Sequence, residues 1–155
     1  MITPDIQIKI GQIKTKIEEY IEKGYLEEAK QLIDLLEENI KEDFRKDPDL
    51  VSMKAVILIL EGAFTEAENV LLQGLEKDTF QFDLLFNMGY IREIRGEYQE
   101  AADFYLKACT VAFDENQRNS VNEAISRLTQ IDPNLRIKDR PRIAFFIKDK
   151  MNNFF

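Results

Sequence analysis

The chain has 155 residues, of which 45% are hydrophobic and 32% charged, and its formal net charge is -8. That is enough apolar material for one domain with a substantial core, and the acidic balance speaks against a general nucleic-acid or anionic-membrane surface, which clustered Lys and Arg would have to supply. The absence of histidine excludes His-based triads, His general bases and Cys/His zinc sites, and the single cysteine, Cys109, cannot form an intrachain disulfide.

Taken in chain order, seven helices are expected, at roughly 5–23, 25–44, 48–61, 63–77, 80–95, 97–113 and 115–131. Thr3-Pro4-Asp5 and Asp47-Pro48-Asp49 each place a capping side chain ahead of a first-turn proline, marking the starts of the first and third. "DTFQ" at Asp78 and "DENQ" at Asp114 have the spacing of capping boxes and mark the fifth and seventh. Along the first helix the apolar residues Ile13, Ile17, Tyr20 and Ile21 fall at spacings of three and four. Val51, Ala55, Leu58 and Ile59 do so in the third, and Leu85, Met88 and Ile91 in the fifth. The seventh, "NQRNSVNEAISRLTQI", is richer in polar residues and suits a helix that caps the open end of a stack.

Three of the junctions repeat one pattern. "KGYLEEAKQLIDLL", "EGAFTEAENVLLQG" and "RGEYQEAADFYLKA" share a glycine, a large apolar residue two positions on, Glu-Ala, and then an apolar helical stripe. The glycines Gly24, Gly62 and Gly96 are 38 and then 34 residues apart, a period that belongs to stacked helical hairpins. A glycine between two helices suits the left-handed residue that ends one and turns the chain into the next. Ala29, Ala67 and Ala101 are small enough for close helix approach, while Leu26, Phe64 and Tyr98 fill the space beside the turn.

These residues resemble the tetratricopeptide repeat (TPR) family. The third copy matches best, with Leu85, Met88 and Gly89 in its first helix followed by Gly96, Tyr98, Ala101, Tyr105 and Ala108. The resemblance implies an all-α, right-handed α-solenoid of about three hairpins plus a C-terminal capping helix over residues 1–131. It also implies binding: the first helices of such hairpins line a groove that takes a protein or peptide. By helical spacing that groove side comprises Lys14, Glu18, Ser52, Val56, Asp83, Phe86, Asn87, Tyr90 and Glu93. For Phe86 and Tyr90 the plainer reading, and the favoured one, is that they plug the gap between hairpins. The family's carboxylate-gripping subtype is set aside, because only Lys14 and Asn87 stand at suitable places, while Glu18, Met53 and Asp83 occupy the others and two carboxylates would repel an anionic terminus.

The remaining polar residues read as solvated surface. Glu27-Glu28 and Glu37-Glu38 lie near Lys30 and Lys41, as on a helix face with ion pairs, rather than as a metal or acid/base centre. Cys109, among Ala108, Val111 and Ala112, reads as a buried inert thiol. No catalytic residue, cofactor or metal is assigned. No apolar signal segment opens the chain and no stretch is long enough to span a bilayer, so a reducing cytoplasm is the expected compartment.

Residues 132–155 change character, carrying six basic and three acidic side chains and leaving a net -11 for residues 1–131. Asp132 to Pro141 reads as a linker. The segment 142–155 then opens with the apolar run Ile143 to Ile147, turns at Lys148-Asp149-Lys150, and continues with Met151, Phe154 and Phe155 on one helical face. It resembles the opening strand and helix of the glycosyltransferase domain that follows TPR repeats in some bacterial proteins, and so implies a truncated α/β domain. The alternative is a stand-alone adaptor or regulator whose tail folds into its own groove. An exposed strand edge in the tail is also expected to pair two copies of the chain.

Overall fold

The computed structural model describes residues 2–78 and 81–137. Its regular structure there is eight α-helices with no strand: α1 (Pro4–Lys23), α2 (Leu26–Ile40), α3 (Glu42–Arg45), α4 (Pro48–Leu60), α5 (Phe64–Lys77), α6 (Phe82–Ile94), α7 (Tyr98–Thr110) and α8 (Glu115–Ile131). The predicted all-α class and the succession of helical hairpins are both present. Contacts divide the chain into two units, Met1–Thr79 with α1 to α5 and Phe80–Phe155 with α6 to α8.

All three repeat glycines end a helix in the same way. Gly24, Gly62 and Gly96 have φ of 80°, 81° and 78°. Each donates its N–H to the carbonyl three residues back, and the next residue donates to the carbonyl five back, as in Tyr25 to Tyr20, Ala63 to Leu58 and Glu97 to Arg92 at 2.7, 2.8 and 2.9 Å. This is the Schellman closure, which satisfies carbonyls that the helix leaves open and requires the left-handed residue that glycine adopts without a Cβ penalty. The carbonyls of Tyr25, Ala63 and Glu97 then accept from the N–H groups of Ala29, Ala67 and Ala101, closing the first turns of α2, α5 and α7. Those three alanines are fully buried.

The first unit is built around α4, which buries Leu50, Val51, Met53, Ala55, Ile57, Leu58 and Ile59. It packs against α1, α2, α3 and α5. Ile10, Ile17, Ala29, Ile33, Leu36, Phe44, Leu50, Met53 and Ile57 form its core. In the second unit α6 and α7 form the hairpin and α8 packs on both. The buried face of α8, Val121, Ala124, Ile125 and Leu128, leaves its opposite side to solvent, as expected of a helix that ends a stack.

Several boundaries differ from expectation. The helix expected at 25–44 breaks at Lys41, whose φ of 49° and ψ of -115° no ordinary helix accommodates, and the short α3 that follows buries Phe44. Helix α6 starts at Phe82 with Gln81 as its N-cap, while Asp78 is the C-cap of α5, so "DTFQ" does not act as a capping box for α6. Helix α7 ends at Thr110 rather than 113, since Val111 leaves the helical region. At Asp114 the expectation holds in part: its carboxylate accepts from Gln117 N at 2.9 Å, but the Gln117 side chain returns to the N–H of Phe113 instead of Asp114. The linker expected at 132–141 is described to Ile137 and is non-helical that far. The strand-and-helix reading of 142–155 lies outside the described residues.

Candidate functional site

The predicted groove residues fall into two sets, one on α1 and α4 of the first unit, the other on α6 of the second. Helix caps and the Schellman turns fix the start and phase of these helices, and phase decides which side chains share a face.

In the first unit Lys14 is engaged within the fold. Its ammonium lies 2.7 Å from the Asp47 carboxylate and 3.2 Å from that of Asp49. Asp47 is also the N-cap of α4, accepting from the N–H groups of Asp49 and Leu50, so Lys14 ties α1 to the head of α4. Partial burial disfavours the charge on Lys14, but the hydrogen bonds and attraction of Asp47 and then Asp49 outweigh it and raise its pKa above the ordinary lysine range. Glu18 is exposed, and Ser52 and Val56 are half-buried on α4.

In the second unit an aromatic row runs along α6. The rings of Phe82 and Phe86 stack with centroids 5.6 Å apart, and Phe86 meets Tyr105 of α7 at 5.0 Å and an interplanar angle of 52°. Phe86 therefore spends part of its surface on packing. Tyr90, one turn on, is 40% exposed, and Ile94 after it 42%. Asp83 is exposed and Asn87 half-buried on the same helix.

Glu93 holds a polar knot. Its carboxylate accepts from the Tyr105 hydroxyl at 2.8 Å and from Arg127 Nε and Nη2 at 2.6 and 2.8 Å, linking α6, α7 and α8. Burial pushes the Glu93 pKa up, but the hydrogen bonds from Arg127 and Tyr105 prevail and hold it below the ordinary carboxylate range. The Tyr105 hydroxyl is driven well above the usual phenol range by burial and then by Glu93. The ring of Tyr105 lies against Gly89, where a Cβ would come within 2.7 Å of two of its carbons. That contact gives the Gly89 and Tyr105 of the repeat signature one shared purpose.

Two of the predicted groove charges, Lys14 and Glu93, are thus neutralised within their own units, while Tyr90 and Glu18 face outward. Ion pairs also run between helices where pairing along a helix was expected. Glu37 accepts from Lys54 of α4 at 2.8 and 2.9 Å rather than from Lys41, and Lys30 lies 3.7 Å from Glu61. Cys109 is buried on α7. Among the described residues no group of three acidic or cysteine side chains is arranged to hold a metal ion, and no helix is long and apolar enough to cross a membrane.

One outward residue escaped sequence reasoning. Phe113, in the turn between α7 and α8, is 90% exposed. The signal was present: an aromatic residue directly before an N-cap packs on the fourth helical position when that is apolar, and here the position is Arg118.

A search of the curated proteins finds no match. The sequence pattern of the family described as "Coatomer epsilon subunit" matches residues 34–130, from within α2 to the last turn of α8, including the Gly62 and Gly96 copies of the repeat and excluding the apolar tail. This is a family of TPR-like helical repeats, which agrees with the hairpins and Schellman turns described above. Since the matched residues make up more than half of the chain, it belongs to the coatomer epsilon subunit family.

Proposed function

We propose that this chain is a non-catalytic protein-binding scaffold that holds a partner polypeptide on the outward face of its first helices. The observation that carries this reading is the aromatic row of α6, Phe82, Phe86 and Tyr90, which ends in a tyrosine 40% exposed and is followed one turn on by the exposed Ile94. Aromatic side chains anchor interfaces because they bury a large rigid area at little entropic cost. The family description names a subunit, and a role within a larger assembly supports the same reading. Glu18, Ser52 and Val56 would contribute a corresponding face in the first unit, Asp83 and Asn87 flanking hydrogen-bonding groups in the second. A repeat domain over 1–131, a protein or peptide partner rather than nucleic acid, and a reducing cytoplasm complete the proposal.

A photo-reactive amino acid at Tyr90 should cross-link one discrete partner in cells, and the same group at the exposed Lys107 of α7 should not. Equal labelling from both positions would end the proposal. A glycosyltransferase domain following the repeats has only the resemblance of Arg142 to Phe155 behind it, and reading the gene past Phe155 tests it: alternating strands and helices would support it, and their absence would leave the adaptor. Pairing of two copies through the tail is tested by deleting 142–155 and following the oligomeric state.

A further inference from the structure

The chain does not trail away from the end of α8. Asp132, the C-cap, leaves the helix at φ -132° and ψ 93°. Residues 132–135 then close a turn in which Leu135 donates its N–H to the Asp132 carbonyl at 3.3 Å and Asn134 donates to the Asp132 carboxylate at 3.1 Å. Aspartate at the first position and Pro133 at the second are the residues such a turn favours. Beyond it Leu135 and Ile137 are half-buried with the exposed Arg136 between them, the period of an extended segment that turns one side inward.

What holds this segment is one side chain of α7. The Gln99 amide pairs with the main chain of Arg136 in both directions: its Oε1 accepts from the Arg136 N–H at 3.0 Å and its Nε2 donates to the Arg136 carbonyl at 2.7 Å. These are the two bonds that a neighbouring strand would exchange with an extended residue, supplied here by a side chain 37 positions away. Nε2 also donates to the carboxylate of Asp103, one turn on along α7, at 3.1 Å. An amide turned end for end would set its oxygen against the Arg136 carbonyl and Asp103, and its NH2 against the Arg136 N–H, so the three contacts allow one orientation.

We propose that Gln99 is a latch and residues 132–137 a strap with two positions, closed on α7 and released, and that Asp103 is the positioning residue that orients the latch. Closed, the strap makes the chain leave the second unit beside the first turn of α7 instead of from the end of α8. Released, it frees the Leu135 and Ile137 side chains and the main chain of Arg136. The latch bonds are exposed, so water competes for both partners and the strap opens while the helices of the unit stay folded. The device does not depend on a partner at the α6 face.

The test is amide hydrogen exchange of the full chain, followed at Arg136 by NMR. Arg136 is expected to exchange about tenfold more slowly than an unstructured peptide. Gln99→Ala and Gln99→Glu should each remove that protection while amides within α7 and α8 keep theirs. Glutamate has nearly the shape of glutamine, but as a carboxylate it has no hydrogen to donate and its charge faces the Arg136 carbonyl and Asp103, so its failure to hold the strap separates the hydrogen bonds from bulk alone. Asp103→Ala should give a smaller loss, and no loss would overturn its orienting role. Trypsin supplies a second reading, since cleavage after Arg136 should quicken about tenfold in either Gln99 variant. Arg136 unprotected in the parent, protection kept in both Gln99 variants, or protection lost equally throughout α7 and α8 would overturn the latch.

Discussion

Gly96 and Gly11 show how little a residue name means without its backbone. Gly96 sits at φ 78° with no atom within 4 Å of a built Cβ, so Gly96→Ala meets no clash and suffers only the left-handed penalty, a loss of about 1–2 kcal/mol. Gly11 lies inside α1 with equally open surroundings, so Gly11→Ala should stabilise by about 0.5–1 kcal/mol. Urea denaturation of the two variants checks both signs. Lys41 is the reverse case: a non-glycine at φ 49°, where Lys41→Gly relieves backbone strain and should raise stability by about 1 kcal/mol in the same assay. The repeat glycines were legible from sequence because the turn demands them. Lys41 was not, since nothing in "NIKEDF" distinguishes a left-handed lysine from a helical one, and the burial of Phe44 is a tertiary gain that no local propensity registers.

At the scale of elements, the knot of Glu93, Tyr105 and Arg127 holds α6, α7 and α8 together, and its response to pH follows from the depressed pKa of Glu93. A carboxyl whose folded pKa lies below its unfolded value of about 4.3 contributes stability above that pH and loses it as pH falls through the folded value. Glu93→Gln should therefore be less stable than the parent at neutral pH, and the gap should narrow below about pH 4, as read by unfolding curves at a series of pH values. A gap independent of pH would mean that the carboxylate is not held by Arg127. Sequence reasoning placed Glu93 among outward groove residues, because helical spacing gives the face of a side chain but not what reaches it from another helix. Arg127, 34 positions away, decides the matter. The same holds for Lys14, which Asp47 and Asp49 claim from more than thirty residues along the chain.

Across the molecule, each unit repeats one arrangement: a hairpin followed by a helix that packs on both of its members, α4 on α1 and α2, α8 on α6 and α7. The first unit contains a core of its own around α4. A fragment of residues 1–79 should accordingly keep a helical circular-dichroism spectrum and a cooperative thermal transition; a featureless melt would show that its core is insufficient alone. The all-α class, the hairpin period, the turns at Gly24, Gly62 and Gly96 and the burial of Ala29, Ala67 and Ala101 were determined by the sequence itself. Each of these depends on backbone conformation or local periodicity, which neighbouring residues dictate. Tertiary structure alone decided the break at Lys41, the engagement of Lys14 and Glu93 and the inter-helix pairing of Glu37 with Lys54. Each of these depends on which distant side chain arrives at a given helix face, and that is settled only when the helices pack.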